Sequence, residues 1–323
     1  MVLGKLYLKP LGGLCNRMRC IDSAIVLCEK YKYELIVLWV KDHALNCGFD
    51  KLFKPLTSKK ITISVIDLPT GFPERYSNRF QNLLLARPHP KRFRRLLLVK
   101  ADPFKAVSNL RLLSKVEKVD KTKVKSNHFF SDIYASVPDK HEKHVKELDN
   151  WLLSKTTILL PNMFSDRKII FIESCYRLYD NKIRYVDFEP IDIIVQRVNA
   201  LINAKKNVLG IHIRQTDHAM AIEKSPVAKF VEMAKKELDL NPHLELYLST
   251  DNHRVINTFK SVFSNRLIYQ TVTSYNRNSP FAIQDAVVDL YALSKTEKIY
   301  GSHQSTFNQT AADIGGLPLK IVH

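Results

Sequence analysis

Val208-Leu209-Gly210-Ile211-His212-Ile213-Arg214-Gln215-Thr216-Asp217-His218-Ala219 is the stretch whose reading decides the fold. An apolar run, Val208 to Ile211, leads directly into His212, Arg214 and Asp217. A near-continuous apolar strand is the signature of a parallel sheet covered on both faces. Polar groups at its carboxyl end stand where open α/β sheets bind their ligands. Arg214 sets the chemistry, because a guanidinium forks onto a phosphate. The segment therefore points to an anionic, phosphate-bearing ligand.

Outward from this strand the pattern is regular. Val227 to Leu238 predicts a helix, Leu244 to Leu248 a strand ending in Ser249-Thr250-Asp251, and Arg254 to Phe263 a helix. A strand at Leu267 to Tyr269, a helix around Ala282 to Leu293 and a strand at Lys298 to Tyr300 follow. A helix after Ser305 and a last strand at Leu319 to Val322 complete a Rossmann-like half. Upstream, Pro190 opens a helix through Ile194, Val198, Leu201 and Ile202, and proline suits a helix start. The predicted division is an N-terminal α/β domain over 1–190 and a C-terminal Rossmann-like domain over 191–323.

The N-terminal half opens on a second unit of the same kind. Leu6 to Leu8 reads as a strand, Gly12 to Asn16 as a tight turn, Arg17 to Tyr31 as a helix and Leu35 to Val40 as a strand. The middle is less regular: residues 69–130 mix Pro, Arg and Lys with short apolar runs such as Leu96 to Val99. His141 to Leu153 reads as helical and Ile169 to Ile172 as a strand. Alternating strands and helices throughout predict an α/β fold with parallel sheets.

Length and composition narrow the classes. A chain of 323 residues exceeds one ordinary core and suggests two domains. With 45% hydrophobic and 25% charged residues it reads as a soluble globular protein. No run reaches the ~18 apolar residues a membrane span needs. MVLGKLYLKPLGG reads as a first strand rather than a signal peptide, which favours the cytoplasm. Five scattered cysteines, Cys15, Cys20, Cys28, Cys47 and Cys175, form no C-x-x-C pair and read as reduced, structural thiols.

The net charge of +18 asks for an anionic partner or a solvating role. Lys91-Arg92-Phe93-Arg94-Arg95 and the stretch from Lys115 to Lys125 are the densest patches. Neither carries the repeated aromatics of a single-strand stacking platform, so nucleic acid is not the expected partner. The charge leaves open a peripheral association with anionic lipid at the inner face of the membrane, or with a glycolipid acceptor.

Loops ending strands in the second half converge on one sheet edge. They are His212 to Asp217, Ser249 to Asn252, and Gly301 to Phe307. The third enters a helix whose first turn offers free N–H groups to an anion, although Ser305 also suits a plain N-cap. Asp285 and Asp289 lie four apart on one helix face, fit for a metal or a base edge, with no histidine or third carboxylate at ligand spacing. Arg17 reads as a solvated or salt-bridged helix residue rather than an active one, and Asp251 as either a ligand or a helix cap.

Taken together these segments resemble the GDP-fucose-dependent glycosyltransferases, the group holding α1,6-, α1,2- and protein O-fucosyltransferases, and more closely their bacterial relatives. The resemblance rests on GGLCNRMR, GIHIRQTDHAMAIEKSP, LYLSTDN and DAVVDLYALSKTEKIYGSHQSTFNQTAADIGG. It implies a GT-B-like α/β fold, two Rossmann-like domains facing a cleft, and polysaccharide-type chemistry on a GDP-sugar donor. It also implies residue roles. Arg214 holds the β-phosphate, His212 lies near the nucleoside, and Asp289 selects guanine. Ser305, Thr306 and Phe307 grip the diphosphate, and Gly12, Gly13 and Asn16 belong to the loop that closes over the substrates. Asp251 is carried as a further substrate-binding candidate. Glu223 is the implied base, Asp217 its rival, and the leaving diphosphate a third acceptor of the proton.

The implied reaction is inverting transfer of L-fucose from GDP-fucose to a hydroxyl of a glycan or glycolipid, with no metal and no cofactor. No Asp-x-Asp triplet occurs in the chain. Gln215 stands where many members carry a second arginine, which leaves another GDP-linked hexose open as donor. A basic Rossmann-like module for polyanions is the distant alternative.

Overall fold

Among the described residues both sheets are wholly parallel, as near-continuous apolar strands lead one to expect. The computed structural model describes residues 4–68, 164, 169–178, 185–202, 207–216, 219–272 and 274–323. The basic patches at Lys91 to Arg95 and Lys115 to Lys125, the apolar run Leu96 to Val99, the helix expected at His141 to Leu153, and Asp217 lie outside the described residues.

The first unit carries β1 (Gly4–Pro10), α1 (Leu14–Tyr31), β2 (Tyr33–Val40), β3 (Ile63–Leu68) and β4 (Ile169–Ser174). Its strand order is β3-β2-β1-β4. Leu6, Leu8, Leu35 and Val37 are fully buried in the sheet, and Met18, Ile21 and Ile25 bury the inner stripe of α1. Helix α1 starts at Leu14, three residues before the expected Arg17. The strand β3 was not foreseen, because Ile63-Ser64-Val65-Ile66-Asp67-Leu68 is only partly buried and mixes polar residues into its run.

The second unit carries α2 (Asp192–Ile202), β5 (Val208–Ile213), α3 (Ala219–Lys224), α4 (Val227–Leu240), β6 (Glu245–Thr250) and α5 (His253–Phe263). It continues with β7 (Leu267–Tyr269), α6 (Pro280–Leu293), β8 (Lys298–Gly301), α7 (Thr306–Gly315) and β9 (Leu319–Ile321). Every helix and strand expected after Pro190 is present, and the short α3 is an addition. Asp50–Lys54 groups with this unit. Phe53 explains that excursion: it pairs with Pro190 and meets the Phe188 ring edge-on at 5.4 Å.

The sheet order is β7-β6-β5-β8-β9. From β5 the chain proceeds outward to β6 and β7, then returns to place β8 on the other side of β5. The carboxyl ends of β5 and β8 are therefore a topological switch point, where crossover helices leave in opposite directions and open a crevice.

Strand alternation sorts the side chains around that crevice. Leu209, Ile211, Ile213, Leu246 and Leu248 point to one face and build a core with Phe230, Val255 and Phe259. His212, Tyr247 and Ser249 point to the other face, where Phe307 of α7 and Asp289 of α6 meet them.

Candidate functional site

The loops leaving β5 and β8 are stitched together by one serine. The backbone N–H of Ser302 donates to the His212 carbonyl at 3.1 Å, and its hydroxyl accepts the N–H of Arg214 at 3.0 Å. Arg214, half-buried, is thereby fixed at the switch point. Asp251, just past β6, holds the next two residues. Its Oδ1 accepts the Gln215 N–H at 2.7 Å and its Oδ2 the Thr216 hydroxyl at 2.6 Å. Asp251 is thus a loop anchor, and Asn252 caps α5 instead, accepting the Arg254 N–H at 2.9 Å.

From Gly301, the last residue of β8, the chain leads through Ser302, His303 and Gln304 into α7. Ser305 occupies the N-cap in extended conformation, yet its buried hydroxyl makes no cap bond. The first turn of α7 also lacks an acidic side chain, so its N–H groups and positive dipole end remain available to an anion. Asn308, one turn further, donates from Nδ2 to the Ser302 carbonyl at 2.8 Å. A Cβ on Gly301 would lie 2.1 Å from that nitrogen, so glycine is required there.

Polar atoms that are buried without a hydrogen-bond partner concentrate at this edge. Among the described residues they include His212 Nδ1, Gln215 Nε2, Thr250 Oγ1, Ser305 Oγ and Asn308 Oδ1. Native proteins leave few such groups, and clustered ones mark functional sites. The His212 ring stacks on Phe307 at 4.8 Å with the planes 22° apart. Burial, reinforced by the Arg214 charge, pushes the imidazole down to about 3, so it is neutral at ordinary pH.

Asp289 stands on the same side of the sheet. Its Oδ1 accepts from the Tyr247 hydroxyl at 2.6 Å and from Gln270 Nε2 at 3.2 Å, and its Oδ2 from the Ser249 hydroxyl at 3.1 Å. Burial raises the carboxyl to about 7 against the lowering effect of Tyr247 and Ser249. Tyr275 lies nearby, its hydroxyl pushed up to about 12 by burial and by Asp289, Asp251 and Asp285, and its ring packs on His253 at 4.7 Å. Tyr247, Gln270, Tyr275 and His253 were not singled out from sequence. Strand parity with Ser249, two residues on, was the available signal for Tyr247; Gln270 and Tyr275 lie outside the strands and helices, and His253 opens α5.

Glu223 lies on α3 and is exposed. Asp285, the other member of the spaced pair, is engaged by Arg197. Among the described residues no three His, Cys, Asp or Glu side chains gather as metal ligands. No helix among them is long and apolar enough to cross a membrane.

In the first unit, the loop after β1 lies at the corresponding switch point between β1 and β4. Gly12 adopts φ +79, and Gly13 caps α1 without a side-chain bond. Asn16 keeps a buried Oδ1 without a partner. Arg17 is fully buried rather than solvated. Its Nε donates to the Gly12 carbonyl at 2.8 Å and Nη1 to that of Val40 at 2.6 Å, while Nη2 pairs with Asp42 at 2.8 Å. It is the brace of this loop. The five cysteines form no disulfide, and four are buried, in keeping with reduced thiols.

No protein-family model and no curated protein matches the sequence. Among solved structures, the chain is similar to NodZ α1,6-fucosyltransferase soaked with GDP-fucose, with TM-score 0.55 and 14% identity over 96% of this chain and 92% of that one. NodZ from Bradyrhizobium gives TM-score 0.56 and 14% identity over 95% and 91%. POFUT1 in complex with GDP-fucose gives TM-score 0.54 and 10% identity over 100% and 98%. At these identities the likeness is one of fold, and it agrees with the two Rossmann-like α/β domains expected from sequence.

Proposed function

We propose that this protein is a fucosyltransferase that moves L-fucose from GDP-fucose to a hydroxyl of a glycan or glycolipid. The observation that carries the reading is the convergence at the β5/β8 switch point. Arg214, the uncapped start of α7 with the Ser305 hydroxyl, and the neutral His212–Phe307 stack all meet there. These groups suit a diphosphate next to a nucleoside, and two GDP-fucose-bound structures share the fold.

In the proposed reaction the acceptor oxygen attacks the anomeric carbon, and the bond from that carbon to the β-phosphate oxygen breaks. GDP departs with the bonding pair, and the configuration inverts. Negative charge grows on the departing phosphate, where Arg214 and the α7 N–H groups stabilise the transition state more than the ground state. These fixed positive groups take the place of a divalent ion, so activity in EDTA is expected. The acceptor proton passes to Glu223, to Asp217 or to the leaving diphosphate. Gly12, Gly13 and Asn16 would close over the substrates. The charge of +18 fits a basic protein working at the cytoplasmic face of an anionic membrane.

Calorimetric titration with GDP, ADP and UDP in EDTA, on wild type and Asp289→Ala, tests the donor site. A preference for GDP that the substitution abolishes supports it. Equal or absent binding of all three refutes it. Gln215 favours one variant reading, a different GDP-hexose, since its amide stands in the donor loop in place of a second cation. Screening GDP-sugars for turnover separates the two.

A further inference from the structure

Asp289 stands at the end of a hydrogen-bond chain that begins on another helix. Arg197 of α2 donates from Nη2 to Oε1 of Gln270 at 2.7 Å, and the same nitrogen pairs with Asp285, one turn before Asp289. A guanidinium can only donate, so it commits Oε1 and fixes the orientation of the Gln270 amide. The Nε2 group must then turn toward α6. There it donates to the Asp285 carbonyl at 3.0 Å and to Asp289 Oδ1 at 3.2 Å. Gln270 is buried, so neither hydrogen has water as an easy substitute.

The consequence lies in what Asp289 has left to offer. A carboxylate presents about four lone-pair directions. Tyr247 and Gln270 occupy Oδ1, and Ser249 occupies one direction on Oδ2. One acceptor direction remains, on Oδ2.

We propose that Arg197 and Gln270 are positioning residues for the nucleobase, locking Asp289 as an acceptor with one open direction on Oδ2. That arrangement selects a purine that brings an N–H there, a guanine-type lactam, over an adenine-type ring whose N1 carries a lone pair. The inference rests on Asp289 facing the base, as in the function proposed above.

The electrostatics support the assignment. Facing Asp289 are Tyr247 from β6, Arg197 from α2, Asp285 on its own helix and Tyr275 from the segment after β7. Burial and Asp285 favour the neutral acid, while Tyr247, Ser249 and Arg197 favour the carboxylate, and the balance lies at about 7. A neutral Asp289 would hold a proton that adenine N1 can accept. Removing the Arg197 charge or the Gln270 donor tips the balance that way.

The test is GDP and ADP titration from pH 6 to 9 on the full chain, for wild type, Gln270→Leu, Arg197→Met and the near-isosteric Gln270→Glu. Carboxyl carbon NMR follows Asp289 in parallel, its signal identified by loss in Asp289→Asn. Wild type is expected to prefer GDP, with affinity rising through about pH 7. Gln270→Leu and Arg197→Met should titrate at higher pH and lose about tenfold of the GDP-over-ADP ratio at pH 7, roughly one hydrogen bond. The ratio should recover at high pH, which a merely structural defect would not allow. Gln270→Glu should move furthest, because it sets a second carboxylate beside Asp289. Wild-type midpoints and ratios in folded variants overturn the relay alone. A wild type without GDP preference overturns the proposed function and the selectivity together, even where the NMR midpoint moves.

Discussion

Asp251 accepts the backbone N–H of Gln215 at 2.7 Å, so a carboxylate at the end of β6 sets the path of the loop that leaves β5. Because the same carboxylate also takes the Thr216 hydroxyl, the loop carrying Arg214 is held from one side by Asp251 and from the other by Ser302. Asp251→Ala leaves both donors to water or unpaired, at about 1–3 kcal/mol for a buried group. GDP affinity should fall about tenfold or more with little change in base selectivity, measured calorimetrically. Unchanged affinity would show that the loop holds its shape without this anchor.

Arg214→Ala should lower turnover about 10²–10³-fold, the usual loss for one preorganised group at a developing oxyanion. Arg214→Lys should recover only part, since an ammonium cannot fork onto two phosphate oxygens. Transfer assays with labelled GDP-fucose decide this. Retained turnover in the alanine variant would remove Arg214 from the phosphate site.

The pH dependence follows from Asp289. Its folded carboxyl titrates at about 7 against an ordinary 3.8, so the folded state holds an extra proton between those values. Stability therefore declines as pH rises from 3.8 to about 7. On the proposed function GDP binding needs the carboxylate, so it should strengthen over the upper part of the same range. Asp289→Asn should melt above wild type at pH 8, converge with it near pH 4, and lose GDP preference. Thermal melts across pH, paired with titrations, check both signs.

Gly301→Ala should misplace the crevice edge. The added methyl would sit 2.1 Å from Asn308 Nδ2, and Asn308 holds the Ser302 carbonyl. Overpacking of this kind costs about 1–3 kcal/mol. In the pair Gly301→Ala with Asn308→Ala, the summed destabilisation should exceed that of the double variant, because the clash with the Asn308 amide is gone and only the 2.8 Å approach to its Cβ remains. Additive losses would indicate that the clash is relieved elsewhere.

Arg17→Met should cost the first unit about 3–5 kcal/mol, since it removes a fully buried guanidinium and leaves Asp42 and two carbonyls without their donor. Denaturant unfolding measures this. A loss below 1 kcal/mol would mean that water replaces the brace.

The elements were legible where burial made sequence periodic. Val208 to Ile213, Leu267 to Tyr269 and the helix closing at Phe263 stand where the apolar spacing puts them. Arg214, His212 and Ser305 were legible for the same reason: each lies at or just beyond a strand end that the pattern marks. Ile63–Leu68 escaped because a partly buried edge strand leaves no such pattern.

What no spacing could supply is the meeting of distant residues. Arg197, Gln270 and Asp289 come from α2, the end of β7 and α6. Asp251 reads in sequence as a ligand or a cap, and only the packing of β6 beside β5 makes it an anchor. By itself the sequence determined which segments are strands and helices and which carry the polar ends, since these depend on local periodicity. The tertiary structure decided the switch point, the partners of each buried polar atom and the proton affinity of Asp289. Those depend on strand order and desolvation, which exist only once the chain has folded.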